Sequence, residues 1–522
     1  MPPPPDNGSK SMKLSSMTAA LAPSLSIDPE ITGLAFDSRR VSAGDLFFAL
    51  PGTIVDGHRF IGQAVLSGAV AVVLEDTAFA PTTIPWVVVP DARRALAHMA
   101  SLFYGDPTAG IPVVGITGTN GKTTTTYLME AMLSAAGVPA AVLGTISYRF
   151  GDFELLAPHT TPESADLQQI LRKLVDRGAR AVIMEVSSHA LEQHRADGCR
   201  FDVGVFSNLT PEHLDYHHDM AAYLASKRRL FSDLLLPDAG KPHRRAVINA
   251  DDPAGAELAA AAVCPVITYG LDSIADVTVR NPSCSVAGIS GIMVTPAGEF
   301  PFRSEMLGRF NLYNILAATG TGVALNLPLD AIRAGIEQHR KVPGRMELVP
   351  NDRGVTFLVD YAHTGDALKN VLKTVCALDG QRIITVFGCG GDRDRAKRPV
   401  MAAVSGRYSD LTIITSDNPR TEEPAAIIAE VRSGIMPLGL REYVREGLME
   451  TPPPGGFMSF KKGFTVVENR RDAIRLAVRL SRPGDIILLA GKGHEDYQII
   501  GTTKQHFDDR EEALHAFRGE AT

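Results

Sequence analysis

At 522 residues the chain is too long for a single hydrophobic core, and a prior of roughly 150 residues per domain suggests about three domains. Its 45% hydrophobic and 21% charged residues describe a globular protein, and no uninterrupted apolar run approaches the ~20 residues of a membrane-spanning helix. A formal charge of −7 gives no general attraction to nucleic acid or acidic lipid, so an anionic ligand has to be held by local positive features.

Residues 1–25 open on a proline run and lack the basic segment and apolar core of a signal peptide, which predicts a flexible tail. Residues 26–109 read as a small α/β domain, with short apolar runs at 46–50, 69–74 and 86–89 and a helix over 92–103. A second domain is expected over 110–342. Its first apolar run, 111–114, leads into Gly-Ile-Thr-Gly-Thr-Asn-Gly-Lys-Thr-Thr-Thr at 115–125, followed by Tyr127, Leu128, Met132 and Leu133 at helical spacing. This is the pattern of a phosphate-binding loop on a strand-to-helix turn. Glycines let backbone N–H groups close around phosphate oxygens, Lys122 can reach the β/γ oxygens, and the Thr123 or Thr124 hydroxyl can hold Mg²⁺. The general P-loop spacing would put glycine at Ile116, so the shorter Gly-Thr-Asn-Gly-Lys-Thr form points to a narrower family, and to ATP as ligand.

Apolar runs at 181–184, 203–206 and 246–248 alternate with helical stretches, as in a mostly parallel sheet, and put Glu185 and Asn208 at strand ends, where ligands of open α/β sheets gather. A third α/β domain is expected over 343–522. Its runs at 356–359, 383–387, 411–414 and 486–490 end in Asp-Tyr-Ala-His, Gly-Cys-Gly-Gly-Asp-Arg, Ser-Asp-Asn-Pro-Arg and Gly-Lys-Gly-His-Glu, so charged groups concentrate at one end of one sheet. The Pro/Gly-rich stretch 451–456 reads as an exposed insertion. Five scattered cysteines, Cys199, Cys264, Cys284, Cys376 and Cys389, show no paired metal-ligand spacing, which fits a reducing cytoplasm.

Taken with Met-Glu-Val-Ser-Ser-His (184–189), Asn-Leu-Thr-Pro-Glu-His-Leu-Asp (208–215) and Gly-Arg-Phe-Asn-Leu-Tyr-Asn (308–314), the loop resembles that of the Mur ligases, and the match runs from about Asp37 to the C-terminal region. The resemblance implies an α/β, three-domain architecture: a UDP-sugar-binding domain, a central P-loop ATPase-like domain and a C-terminal Rossmann-like domain that binds an amino acid. It implies an ATP-dependent amide ligase that adds meso-diaminopimelate to UDP-N-acetylmuramoyl-L-alanyl-D-glutamate through an acyl phosphate, in cytoplasmic peptidoglycan precursor synthesis. Neither nucleic acid nor membrane is implied as a partner, and the chain is expected to be a monomer.

By the same resemblance, Gly118, Thr119, Asn120, Gly121, Lys122, Thr123, Thr124, Asn311, Asn314 and Asp360 would hold ATP, with His363 on the same turn as Asp360. Asn near a helix start is also an ordinary cap. Lys122, Glu185, His213 and Lys227 would be catalytic, and Thr123, Glu185, His213 and Lys227, the last as a carbamate, would hold Mg²⁺. An unmodified lysine, with a pKa near ~10.4, would repel the metal, and a carbamate reverses the sign. Phe36, Ser38, Thr53, Ile54, Val55, His159, Thr160, Thr161, Ser187, Gln193 and Arg195 fall on UDP-sugar-peptide positions, His159 departing from the usual Asn. Arg393, Asp417, Asn418, Pro419, Arg420, Gly491 and Glu495 fall on positions for diaminopimelate. The incoming amino acid carries a second carboxylate that lysine lacks, and a guanidinium can hold it bidentately. The alternatives are a lysine-selecting ligase, a sister ligase such as MurF or folylpolyglutamate synthetase, and a non-catalytic nucleotide-dependent interaction protein.

Overall fold

The computed structural model describes residues 11–19, 27–52, 55–285, 287–338, 342–378, 380–445, 448 and 461–519. Its first sheet has four parallel strands in the order Gly33–Ala35, Asp45–Phe48, Ala71–Leu74, Trp86–Val88. Both inner strands are buried along their whole length, which is why they read as continuous apolar runs. The helix Ala92–Phe103 begins where the Asp91 side chain accepts from Arg94 N, and buries Leu96, Met99, Ala100 and Phe103 against this sheet. The expected tail over 1–25 is corrected here for residues 11–19. Met12–Lys13 pairs antiparallel with Glu30–Ile31, and Leu14 and Met17 are buried in the same core. Apolar residues at 12, 14 and 17 give this stretch surface to bury, which the proline run before it obscures.

The central sheet has eight strands in the order Phe153–Leu156, Ser147–Phe150, Ala140–Leu143, Ala181–Glu185, Val113–Thr117, Val203–Phe206, Arg245–Asn249, Val266–Tyr269. All are parallel except the edge hairpin. Helices Lys122–Ala135 and Arg309–Ala324 cover one face through Leu128, Met132, Leu133, Leu312 and Ile315, and Ser164–Asp176 and Met220–Ser232 cover the other. A three-stranded antiparallel meander, Thr278–Ser285, Gly288–Thr295 and Gly298–Ser304, is an addition that the apolar runs do not announce, because its first strand is largely exposed. Ion pairs tie the first sheet's unit to this one: Arg40 forks onto Asp166 at 2.7 and 2.9 Å, and Arg93 meets Glu163 at 3.1 Å.

The third sheet has seven strands in the order Glu347–Val349, Thr356–Asp360, Ile486–Ala490, Ile383–Phe387, Leu411–Ile414, Gly463–Val466, Arg441–Glu442, the first antiparallel and the rest parallel. Register matters more than strand count. Asp360 pairs with Ala490, Ala490 with Phe387 and Phe387 with Ile414, so four strands end level and their turns share one edge. The insertion expected at 451–456 lies outside the described residues.

Leu14→Ala removes a wholly buried side chain from the first core and should destabilise that unit by about 2–5 kcal/mol. Hydrogen exchange at the amides of Leu46 to Phe48 reads this out, and unchanged protection would show that the segment does not contribute to that core.

Candidate active site

The loop between the strand Val113–Thr117 and the helix Lys122–Ala135 is clamped by the end of the neighbouring strand Val203–Phe206. Thr119 N donates to Asn208 O at 2.8 Å and Asn120 N to Asn208 Oδ1 at 2.9 Å, while Ser207 Oγ and Asn208 Nδ2 donate to Asn120 O at 2.6 and 3.0 Å. Two glycines are required by this approach. Gly118 has φ +144° and a Cβ there would lie 1.9 Å from Ser207 Oγ; Gly121 has φ +90° and a Cβ would lie 2.3 Å from Asn314 Oδ1.

Lys122 Nζ folds back onto the carbonyls of Gly118 and Thr119, at 2.9 and 2.8 Å. Lys227, wholly buried on the helix Met220–Ser232, donates to the same Gly118 oxygen at 3.0 Å. Burial pushes both ammonium groups down; Lys227 lies well below the ordinary lysine value, burial being the larger cause and the charge of Lys122 the second.

Glu185 ends the adjacent strand with its carboxylate buried. It accepts from Thr123 Oγ1 at 2.9 Å and from Thr145 N and Oγ1, each at 3.0 Å. Threonine hydroxyls and a carboxylate are hard oxygen donors, the set that Mg²⁺ takes, so Thr123 and Glu185 fit that ion. Among the described residues no group of three or more His, Cys, Asp and Glu side chains is placed to hold a metal ion. His213 sits at φ +58°, its side chain 46% exposed, with its ring 4.9 Å from that of His189.

Lys122, Thr123, Glu185 and His213 line one cavity of about 490 Å³, together with Thr160, Ser187, Asn314 and, from the third sheet's unit, Arg345, Asp360 and His363, while Gly118 and Lys227 lie behind its wall. Asp360 accepts from Met346 N at 2.7 Å and Ala362 N at 2.8 Å, and burial raises its pKa. The structure therefore gathers Thr119 to Thr124, Glu185, His213, Asn314 and Asp360. Asn311 stands behind them: its Oδ1 accepts from Asn314 Nδ2 at 2.9 Å, and it is not a cavity wall. Sequence reasoning passed over Arg345, whose guanidinium lies 4.8 Å over the Tyr361 ring and 3.5 Å from Thr123 Oγ1, and Thr145, which braces Glu185. No local motif marks either one.

The other expected sets lie apart from this cavity, except for Thr160 and Ser187. Thr161 Oγ1 donates to Glu185 O and accepts from Ser187 N, and Arg195 donates to Thr161 O at 3.2 Å and Gln193 Oε1 at 2.7 Å, so these four form one polar chain. His159 is exposed and contributes its carbonyl to the Tyr148 hydroxyl. In the first unit Ser38 is buried against Gln63 Oε1 at 3.2 Å, Phe36 packs under Arg40, and Val55 is exposed; Thr53 and Ile54 lie outside the described residues.

On the level edge of the third sheet, Asn418 Nδ2 donates to Glu495 Oε2 at 2.8 Å, and Gly491 sits at φ +116°, where a Cβ would lie 3.5 Å from Asp417 Oδ2. Arg420, at φ +52°, donates to Gly391 O at 2.8 Å and meets no carboxylate within ion-pair distance among the described residues. Arg393 is exposed, with a local bond to Asp392 O. Arg398, wholly buried, pairs with Glu422 at 2.7 Å and Glu430 at 2.8 Å and donates to Gly390 O, tying the loop after Ile383–Phe387 to the loop after Leu411–Ile414.

Residues 30–104 match the description "Mur ligase family, catalytic domain", 116–322 "Mur ligase middle domain" and 344–493 "Mur ligase, glutamate ligase domain". A protein of Geobacter metallireducens named UDP-N-acetylmuramoyl-L-alanyl-D-glutamate--2,6-diaminopimelate ligase is 62% identical, over 97% of this chain and 98% of its own. The chain belongs to the Mur ligase family. A Geobacter sulfurreducens protein of the same name is 65% identical over 94% of this chain and 95% of its own. A solved structure carrying that ligase name superposes with a TM-score of 0.68 at 32% identity, covering 98% of this chain and 99% of that one. The three α/β units are thus the three-domain Mur ligase architecture.

Gly121→Ala forces φ +90° on an L side chain and a contact with Asn314, and should cost about 1–3 kcal/mol of strain. Denaturant unfolding checks this; a midpoint equal to that of the parent would show that the loop relaxes freely.

Proposed function

We propose that the chain is the ATP-dependent ligase that joins meso-diaminopimelate to UDP-N-acetylmuramoyl-L-alanyl-D-glutamate in cytoplasmic peptidoglycan precursor synthesis, acting as a monomer. Residues 26–109 bind the UDP sugar in this reading, 110–342 bind ATP, and 343–522 bind the amino acid. The observation that carries it is the Arg420 guanidinium, which among the described residues meets no carboxylate within ion-pair distance yet stands on the edge that holds Asp417, Asn418 and Glu495. For lysine as acceptor, that charge would stay poorly paired at an effective cost of several kcal/mol in a closed site. The family membership and the names of the two Geobacter relatives support the same reading. Among the described residues no helix is long and apolar enough to cross a membrane, which is consistent with it.

A carboxylate is a poor acyl donor. ATP first converts the D-glutamyl carboxylate to an acyl phosphate, and the diaminopimelate amine then attacks its carbonyl, expelling phosphate. Lys122 exchanges its two loop carbonyls for the β/γ oxygens and offsets charge where an anionic carboxylate meets an anionic phosphate. The amides at the start of the helix Lys122–Ala135 take the remaining phosphate oxygens. Arg345 stands on the far wall, and Asn314, held by Asn311, and Asp360 frame the nucleotide. Thr123 and Glu185, with His213 and carbamylated Lys227, would hold Mg²⁺, which when bound supplies charge neutralisation at the phosphates. Lys227 suits carbamylation: burial and the nearby Lys122 favour the neutral amine, the form that captures carbon dioxide. Phe36, Ser38, Thr53, Ile54 and Val55 take the nucleotide end of the UDP sugar. Thr160 and the polar chain of Thr161, Ser187, Gln193 and Arg195 take its peptide.

The deciding measurement is ADP formation with Mg²⁺, ATP and the UDP-dipeptide, comparing meso-diaminopimelate with L-lysine. Turnover with diaminopimelate alone is expected, and turnover with lysine overturns the role of Arg420. Lys122→Met should lower kcat by at least about 100-fold. Lys227→Ala should be inactive and recover with an added short-chain carboxylic acid; full activity without it would exclude the carbamate.

A further inference from the structure

Beneath the loops that carry Asp417 to Arg420 and Gly491 to Glu495 lies a charge that neither the phosphate cavity nor Arg420 accounts for. Lys492 follows the strand Ile486–Ala490 by two residues, and its side chain is wholly buried. A buried ammonium is tolerated only where acceptors meet its three donors. Lys492 Nζ donates to Tyr497 O and faces Asn418 Oδ1 at 3.4 Å, Asp417 Oδ1 at 3.5 Å and Glu495 Oε2 at 3.6 Å. Three of its four acceptors are therefore side chains of the proposed amino-acid pocket.

The contacts fix an orientation. Asn418 Oδ1 takes the Ile499 N–H at 3.0 Å and faces Lys492, which leaves Nδ2 for Glu495. Without the ammonium, Ile499 and Glu495 still hold the amide, but Asp417 and Glu495 become two like charges in a buried pocket with no cation between them. The charged and titratable groups facing Glu495 are Asp417, Lys492, Tyr361, Tyr497 and, behind the strand, Arg470. Asp496 and Arg420 lie near Tyr497. Arg470 is already committed to buried Asp509, at 2.6 and 2.7 Å. Burial, and then the charge of Asp417, push the Glu495 carboxyl up, and Lys492 opposes this.

We propose that Lys492 is a positioning residue for acceptor choice: its buried ammonium, with Asn418 as the brace between them, fixes the carboxylate oxygens that Asp417 and Glu495 turn toward the ammonium group of the incoming amino acid. This rests on the reading of that pocket as the diaminopimelate site. The oxygens and the Arg420 guanidinium together form a receptor for one zwitterionic carbon, ammonium to one side and carboxylate to the other.

The test is steady-state ADP formation by full-length K492M, with KM measured separately for meso-diaminopimelate, ATP and the UDP-dipeptide. The acceptor KM should rise about tenfold or more, with the other two within about twofold. The acid limb of kcat/KM for the acceptor should move up by about one pH unit, because Glu495 then keeps its proton to higher pH. A folded K492M with the parent's acceptor KM and pH profile, or with all three KM values raised together, overturns the proposal. If K492M does not fold, K492M/E495Q is compared with E495Q: a higher acceptor KM in the double variant supports the proposal and equal values overturn it. Parent enzyme that uses L-lysine and rejects diaminopimelate defeats the acceptor reading itself, and that control precedes every variant.

Discussion

One carbonyl oxygen, that of Gly118, accepts from two ammonium groups, Lys122 and Lys227. Both contacts being short, the two nitrogens lie no more than about 6 Å apart, where two unit charges repel by about 3 kcal/mol at an effective dielectric constant of ~20. Burial disfavours both charges further, so without a ligand the arrangement favours a neutral Lys227 amine. An arriving polyanion, or conversion of one amine to an anion, tips it. The loop's backbone geometry follows from the same point, since Gly118 reaches this position only with φ +144° and no Cβ against Ser207.

The third sheet adds the second constraint. Its four level strand ends put Asp360, Gly388, Thr415 and Gly491 along one edge, and the same edge serves two different surroundings. Asp360 and His363 face the central domain across the 490 Å³ cavity, whereas Asp417 to Arg420 lie outside it. Tyr361 stands between the two: Arg345 lies over its ring at 4.8 Å and His494 packs against it at 5.0 Å. Burial, then Arg345 and Arg510, lower His494 to about 4, so this stack carries a neutral imidazole at physiological pH.

Much of this was legible in the sequence because parallel strands buried on both faces are written as short apolar runs. Val203–Phe206, Ile383–Phe387, Leu411–Ile414 and Ile486–Ala490 coincide with the runs that announced them, and the helix Ala92–Phe103 was equally plain. The hairpin Ser147–Phe150 and Phe153–Leu156 and the meander after Thr278 were not, since antiparallel edges alternate polar and apolar residues and blur into turns. At the site, the phosphate loop, Glu185 and the Asp417 to Arg420 turn were visible as motifs. Arg345, Thr145 and Arg398 were not, because each matters through a partner distant in sequence: Thr123, Glu185 and Glu422 respectively.

The small hairpin of Tyr497–Ile500 and Thr503–His506 is joined to the Asp417 to Arg420 turn by main-chain bonds alone at two points, Arg420 N to Ile499 O at 3.1 Å and Gly501 N to Arg420 O at 2.8 Å. Gln498 and Ile499 also bond Asp417 O and Asn418 Oδ1. Four residues that look like a portable cassette therefore form one half of a mortise whose other half lies some eighty positions downstream. Grafting that cassette alone into a relative would carry the side chains without the backbone that aims them. Under the proposed acceptor reading, the turn and the hairpin have to be exchanged, and to diverge, as one inherited unit.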